Sequence, residues 1–332
     1  MTTYSIPSPS EQSIPQTENF FKFVLLMVLL QASFYVTDYT LDHFALQWAA
    51  IGRMLFIGSM AVMNGFLIIG LGVLAHDAVH KVLFRNLTLN EWVGGIATGF
   101  VMVPFYANRQ FHLTHHRYAH QPELDPENEM HSPSFWYAAT IGATMGLYLQ
   151  YKIFFIDLFT RLFDARYTGA LLKDITFLLL AAGFYFILPT LWGVNLLFTS
   201  VATLLTFPLV FSYRALSDHY GIPAVARKSQ QREYITDGTA WYSETDPIKV
   251  TGWVVLTHPW LEWLWSSVNY HEVHHKYPYL SHQHLKTVFE NTRSQVPYMV
   301  INGYSASLWN LYKRPYYESP EQAQTFLTVK SN

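Results

Sequence analysis

The chain has no cysteine. Disulfides, thiolate catalysis, iron–sulfur clusters and Cys-ligated zinc are therefore excluded. Charge is scarce as well. Asp, Glu, Lys and Arg make up 13% of the 332 residues, about half the share usual in a soluble domain. The formal net charge is -2 and no basic stripe stands out, which argues against nucleic-acid binding. The chain shows no internal repeat, Gly-Ser linker or low-complexity tract. Its first residues lack the basic start and small-residue cleavage site of a signal peptide.

What fills the space is apolar. Hydrophobic residues make up 51%, with 24 Phe, 22 Tyr and 10 Trp. Four apolar runs, at about 20–36, 54–74, 171–191 and 194–211, each approach the roughly 20 residues a spanning helix needs. A fifth stretch, Trp92 to Tyr106, is short and reads as a buried or half-inserted segment. Lys and Arg are absent from the loop after the first run and from the "PTLWG" turn between the last two. They gather between Lys81 and Lys173 and again from Arg214 onward, with Arg53 the exception at the edge of the second run. By the positive-inside rule this predicts an all-α integral membrane protein: four transmembrane helices with both termini cytoplasmic. Residues 76–170 and 214–332 would then form a cytoplasmic helical cap. The first 18 residues are polar and rich in Ser and Pro and are expected to be disordered. Residues 19–332 are expected to form a single domain.

The 15 histidines are clustered. His76 and His80 are spaced i, i+4 at the end of the second run. His112, His115 and His116 are spaced i, i+3, i+4, and His271, His274 and His275 repeat that pattern. On a helix each set shares one face. His219 follows the last run, and all four places fall on the cytoplasmic side of the expected topology. His43 lies on the other side. Neutral imidazole is the commonest metal ligand. Eight in such sets exceed what one tetrahedral zinc uses. They suit two first-row metals, with iron leading for redox chemistry and zinc or copper left open. Asp77, Asp218 and Glu272 stand in or beside the clusters, where they would orient rings as acceptors or supply a bridging oxygen.

The plainer readings carry weight one residue at a time. A lone helix-end histidine is more often a dipole partner or a surface group. Two HxxHH runs plus HxxxH on one predicted membrane face make coincidence a poor explanation, and His219 gains from their company. His120 continues the face of His116 or is simply exposed. His131, His258, His282 and His284 read as surface residues or as partners of ligands. Asp125 and Glu127, in "ELDPEN", read first as a loop around Pro126, with a weaker case for orienting a ligand. Trp92–Tyr106 and the Trp-rich Trp260–Tyr270 would line an apolar channel, or simply pack in lipid and anchor at its interface.

"HDAVH", "HLTHH" and "NYHEVHHKYP", in this order around apolar runs, resemble the three histidine boxes of the integral-membrane fatty acid desaturase superfamily. That group includes carotenoid hydroxylases and ketolases and sphingolipid desaturases. "RALSDHYG" is similar to its extra histidine segment, and "HHRYAHQPELDPE" to its continuation after the second box. The resemblance implies a four-span, mushroom-shaped fold with a cytoplasmic cap. It also implies a non-heme di-iron centre that takes O2 as co-substrate and attacks an unactivated C–H bond. The implied iron ligands are His76, His80, His112, His115, His116, His219, His271, His274 and His275. Ala215 stands where some acyl-CoA desaturases carry an Asn ligand, a departure from that branch. No "HPGG" heme motif is present. Electrons would come from a separate partner such as a ferredoxin or a cytochrome b5.

The expected function is therefore an O2-dependent desaturase acting on a fatty acyl chain of a membrane lipid. The alternative with the same ligands is a hydroxylase or ketolase of a carotenoid or other lipid. A zinc-dependent membrane amide hydrolase needs about three protein ligands and an open position, leaving most of these histidines unexplained. A metal transporter would carry His and acidic residues in mid-membrane, where these runs have almost none. Substrate head group, bond position and host membrane stay open: bacterial inner membrane, thylakoid or endoplasmic reticulum.

Overall fold

The computed structural model describes residues 5–119, 124–127, 135–219, 251–313 and 324–328. His120 and His131 lie outside the described residues. Four helices are long and apolar enough to cross a bilayer: Gln16–His43, Ala50–Val79, Ala165–Leu191 and Leu197–His219. We call the first two α1 and α2. They are followed by α3 (Leu87–Phe100), α4 (Phe105–Tyr118) and α5 (Ala143–Arg161). The third long helix begins as α6 (Ala165–Ala182) and runs on through a π-turn at Gly183–Ile187. The fourth begins with a π-turn at Leu197–Val201 and continues as α7 (Ala202–His219).

These helices outrun the apolar runs that mark them. α2 continues past Leu74 through His76, and its last regular residue is Val79. The backbone turns only at Lys81, with φ 64°. α7 continues past Phe211 to His219, helped by an i, i+4 ion pair of Arg214 with Asp218 at 2.7 Å. Hydropathy falls where lipid would end, whereas a helix ends where the backbone meets a breaker or a cap. That difference puts His76 and His219 on regular helix rather than in loops.

Two compact units emerge. One consists of Pro15–Asn108 and Gln150–Phe211 and contains most of the long helices. Its α1 and α2 carry exposed large apolar side chains such as Phe21, Val28, Met54 and Leu55, as lipid-facing helices do. Inside it, glycines let α3 approach its neighbours closely. A Cβ on Gly95 would lie 2.0 Å from the Phe177 ring, and one on Gly94 would lie 2.1 Å from Ala78 Cβ. Trp92 meets Phe177 edge to face at 5.4 Å. The stretch expected either to line a channel or to pack is thus a close helix–helix contact around Phe177. Asn90, buried on α3, holds the end of α2. It donates to Ala78 O at 2.8 Å and accepts from Leu83 and Phe84 N–H at 3.2 Å. Asn19 adds a bond to Leu83 O at 2.8 Å. On α6, Asp174 accepts from Tyr106 N–H at 2.9 Å in the first turn of α4, satisfying a donor that a helix start leaves free.

The other unit consists of Met1–Ile14, Arg109–Leu149 and Ser212–Asn332. It contains an element that the hydropathy pattern did not announce. β1 (Trp253–Leu256) pairs in parallel with β2 (Met299–Asn302), with Trp253 opposite Met299 and Leu256 opposite Asn302. Between them lie α8 (Pro259–Leu264), α9 (His271–Lys276) and α10 (His282–Thr292). α11 (Tyr304–Lys313) follows. Val254, Tyr270, Val273, Leu285, Val288 and Tyr298 form a core that packs α9 and α10 on the strands. Ser266 and Ser267 take positive φ values of 47° and 53° just ahead of α9. Asn269 then locks that turn to β1, donating to Val255 O at 2.9 Å and accepting from Val255 N–H at 2.8 Å. Residues 5–14, read from composition as disordered, carry contacts here. Ile6 packs against the core, while Gln12 donates to Tyr279 O at 2.5 Å and accepts from Ser281 N–H at 2.8 Å.

Gly95→Ala tests the close approach of α3. We expect a loss of about 1–3 kcal/mol from overpacking, read as a lower midpoint of thermal unfolding in detergent. Adding Phe177→Ala to Gly95→Ala should cost less than the two single changes summed.

Candidate metal centre

α4 and α9 are short helices that each present three histidines along one face, as the i, i+3, i+4 spacing requires. Their imidazoles converge with His219 of α7 within one unit. His115, His219 and His275 have ligand atoms within 4.8 Å of one another, and so do His112, His116 and His274. The Nε2 atoms are closer still. His115 lies 3.2 Å from His219 and 3.4 Å from His275. His271 lies 2.8 Å from His219 and 3.1 Å from His275. His116 lies 3.0 Å from both His112 and His274. Seven of the expected ligands thus meet in this unit. His76 and His80 belong to the other unit, at the end of α2, with ring centroids 5.0 Å apart.

The far ring nitrogens show what these Nε2 atoms carry. His219 Nδ1 is 2.6 Å from the Thr251 carbonyl, which only accepts, so Nδ1 bears the proton. His115 Nδ1 donates to Asp125 Oδ1 at 2.8 Å in a fully buried pair. In the neutral rings both Nε2 atoms then hold lone pairs, and these face each other at 3.2 Å. That arrangement calls for positive charge between them, either a proton on one Nε2 or a metal ion. A metal supplies the cation with matching geometry. For metal–nitrogen bonds of about 2.1 Å, two ligands lie about 3.0 Å apart at a right angle and about 3.4 Å apart at the tetrahedral angle. The observed spacings run from 2.8 Å, slightly under the right-angle value, to 3.4 Å, the tetrahedral one. The residues present therefore fit a metal.

Local electrostatics point the same way. Burial pushes His115 toward its neutral form, but Asp125, Glu127 and Asp218 together outweigh it and raise the pKa to about 9, so without a metal the ring holds a second proton, which a bound cation would displace. His275 is driven well below the usual histidine value by burial and by His116, His219, His271 and His115, so it stays neutral as a ligand must.

The carboxylates divide their work differently from the sequence expectation. Asp125 holds His115 directly and also accepts from Glu127 N–H at 2.9 Å. Glu127 lies 3.5 Å from His112 Nδ1. Both come from the loop whose plain reading was a turn around Pro126. The signal available was the acidic pair close behind HLTHH. Asp77 lies 3.8 Å from His76 Nδ1 and Asp218 lies 3.9 Å from His271 Nδ1, distances for Coulombic attraction rather than direct hydrogen bonds. Among the described residues Glu272 bonds to no ring. It accepts from Thr251 and Gly252 instead. The other histidines do other work. His43 caps its own helix end at Tyr39 O, and His284 meets Ser13 O at 2.9 Å.

The family model for fatty acid desaturases matches residues 20–303. The chain belongs to the fatty acid desaturase family. With its four long apolar helices this makes it an integral membrane protein. One desaturase relative, the sn-1 oleoyl-lipid 12-desaturase of Arthrospira platensis, is 38% identical over 64 residues, which is 19% of this chain and 18% of that protein.

Asp125→Asn should weaken metal retention by about 10–100-fold, the usual effect of losing a ligand's hydrogen-bond partner. Metal content after challenge with a graded series of chelator concentrations measures this. Unchanged retention would remove Asp125 from the role described.

Proposed function

We propose that this desaturase-family protein introduces a double bond into a fatty acyl chain of a membrane lipid, using O2. The proposed site is a non-heme di-iron centre held by His76, His80, His112, His115, His116, His219, His271, His274 and His275. The observation that carries the reading is the buried set of mutually facing imidazole nitrogens in a chain of this family. His76 and His80 join the set on the strength of their spacing and their place in the first box. The histidine-dominated, thiolate-free donor set suits iron.

When bound, the iron pair supplies O2 activation and hydrogen abstraction, because an alkyl C–H bond offers no proton that a side-chain base could take. The protein's residues hold and orient. Asp125 fixes the tautomer of His115 so that Nε2 is presented as a donor atom, and the Thr251 carbonyl does the same for His219. Burial of His115 and His219, at 0% and 1% exposure, keeps bulk water from both. The distribution of Lys and Arg supports cytoplasmic termini. Electrons would arrive from a separate carrier of ferredoxin or cytochrome b5 type.

The test is lipid and pigment mass spectrometry of a host expressing the chain, beside a His115→Ala control. We expect new lipids lighter by two hydrogens that vanish in the control. Products heavier by one oxygen would replace desaturation with hydroxylation.

A further inference from the structure

Glu272 sits between the ligands His271 and His274 in sequence, yet it faces away from them. Its side chain is fully buried. Oε2 accepts from Gly252 N–H at 2.6 Å, Thr251 N–H at 2.7 Å and the Thr251 hydroxyl at 2.8 Å. Oε1 lies 2.6 Å from Lys276 Nζ. These contacts are with Thr251, Gly252 and Lys276 rather than with the imidazoles.

The Gly252 N–H and the Thr251 C=O belong to one peptide unit. Its N–H donates to Glu272, and its C=O accepts from His219 Nδ1 at 2.6 Å. A carboxylate is thereby linked to a histidine through a single amide. Negative charge at the N–H end polarises the amide and strengthens its carbonyl as an acceptor. A stronger acceptor on Nδ1 makes Nε2 of the same ring a better donor to a metal, as in direct carboxylate–histidine–metal pairs. The peptide reaches this place because residue 252 is glycine. A Cβ there would come within 2.8 Å of Asp218 O and 3.4 Å of His271 Cδ2.

We propose that Glu272 is a positioning residue that fixes the tautomer and raises the donor strength of His219 through the Thr251–Gly252 peptide. The inference rests on His219 being an iron ligand. It predicts that the charge of Glu272, beyond its shape, is felt at one of the two metals.

The experiment uses the full chain loaded with 57Fe, comparing wild type, Glu272→Gln, Glu272→Asp, His219→Ala and the His219→Ala/Glu272→Gln double variant. Iron per chain after chelator challenge and the Mössbauer spectrum are read together, with the melting temperature of the metal-free proteins as the control for folding. We expect Glu272→Gln to melt close to wild type, to hold one iron about 10–100-fold more weakly, and to shift the quadrupole doublet of that iron alone. Glu272→Asp should recover the wild-type doublet at least in part. In the His219→Ala background Glu272→Gln should add nothing, because the link it acts through is gone. Full additivity in the double variant would overturn the inference, as would a Glu272→Gln protein whose iron retention and spectrum match wild type. A wild-type chain that binds no iron pair would instead bring down the di-iron reading, and the inference with it.

Discussion

Neutral imidazoles do not ordinarily turn their lone pairs toward one another at hydrogen-bonding distance, and the rest of this structure serves to make them do so. His115 and His219 face each other through Nε2 because each has its other nitrogen tied to an acceptor, Asp125 in one case and the Thr251 carbonyl in the other. Such crowding is stable only around positive charge. The carboxylates of Asp125, Glu127 and Asp218 favour that charge at His115, against the effect of burial. The site is therefore prepared for a cation by its neighbours as much as by its ligands.

Holding histidines in place takes rigid backbone, and each helix that carries them is fixed by a different device within its own unit. α4 starts on the carboxylate of Asp174. α9 leaves a turn with two serines at positive φ and is pinned to β1 by Asn269. α7 runs to His219 as unbroken helix. The end of α2, with His76 and His80, is held by Asn90. Three of these four devices use a polar side chain in a buried place, where a missing partner is costly. Each thus specifies one arrangement rather than adding general stability.

Much of this was legible in the sequence, for definite reasons. Helical spacing of histidines is a local property, so the shared faces of α4 and α9 follow from counting residues. Membrane-length apolar runs are local too, and all four appear as long helices. What was not legible depends on contacts between distant segments. The β1–β2 pair joins residues far apart in sequence, and each strand is only four residues long. Thr251 contributes through its backbone carbonyl, which no side-chain motif reveals. Glu272 looked like a candidate partner for a ring because it sits inside the third box, but on a helix the residue after a ligand points about 100° away from it. Asp125 and Glu127 were visible as acidic residues close behind the second box, and only the fold gives their direction.

The most direct test of the central claim is the metal content of the purified chain, with the metal identified. The proposed di-iron site predicts two irons per chain, with both the count and the retention falling when His115 is replaced by Ala. A chain that takes up a single zinc, and holds it equally well without His115, would contradict it.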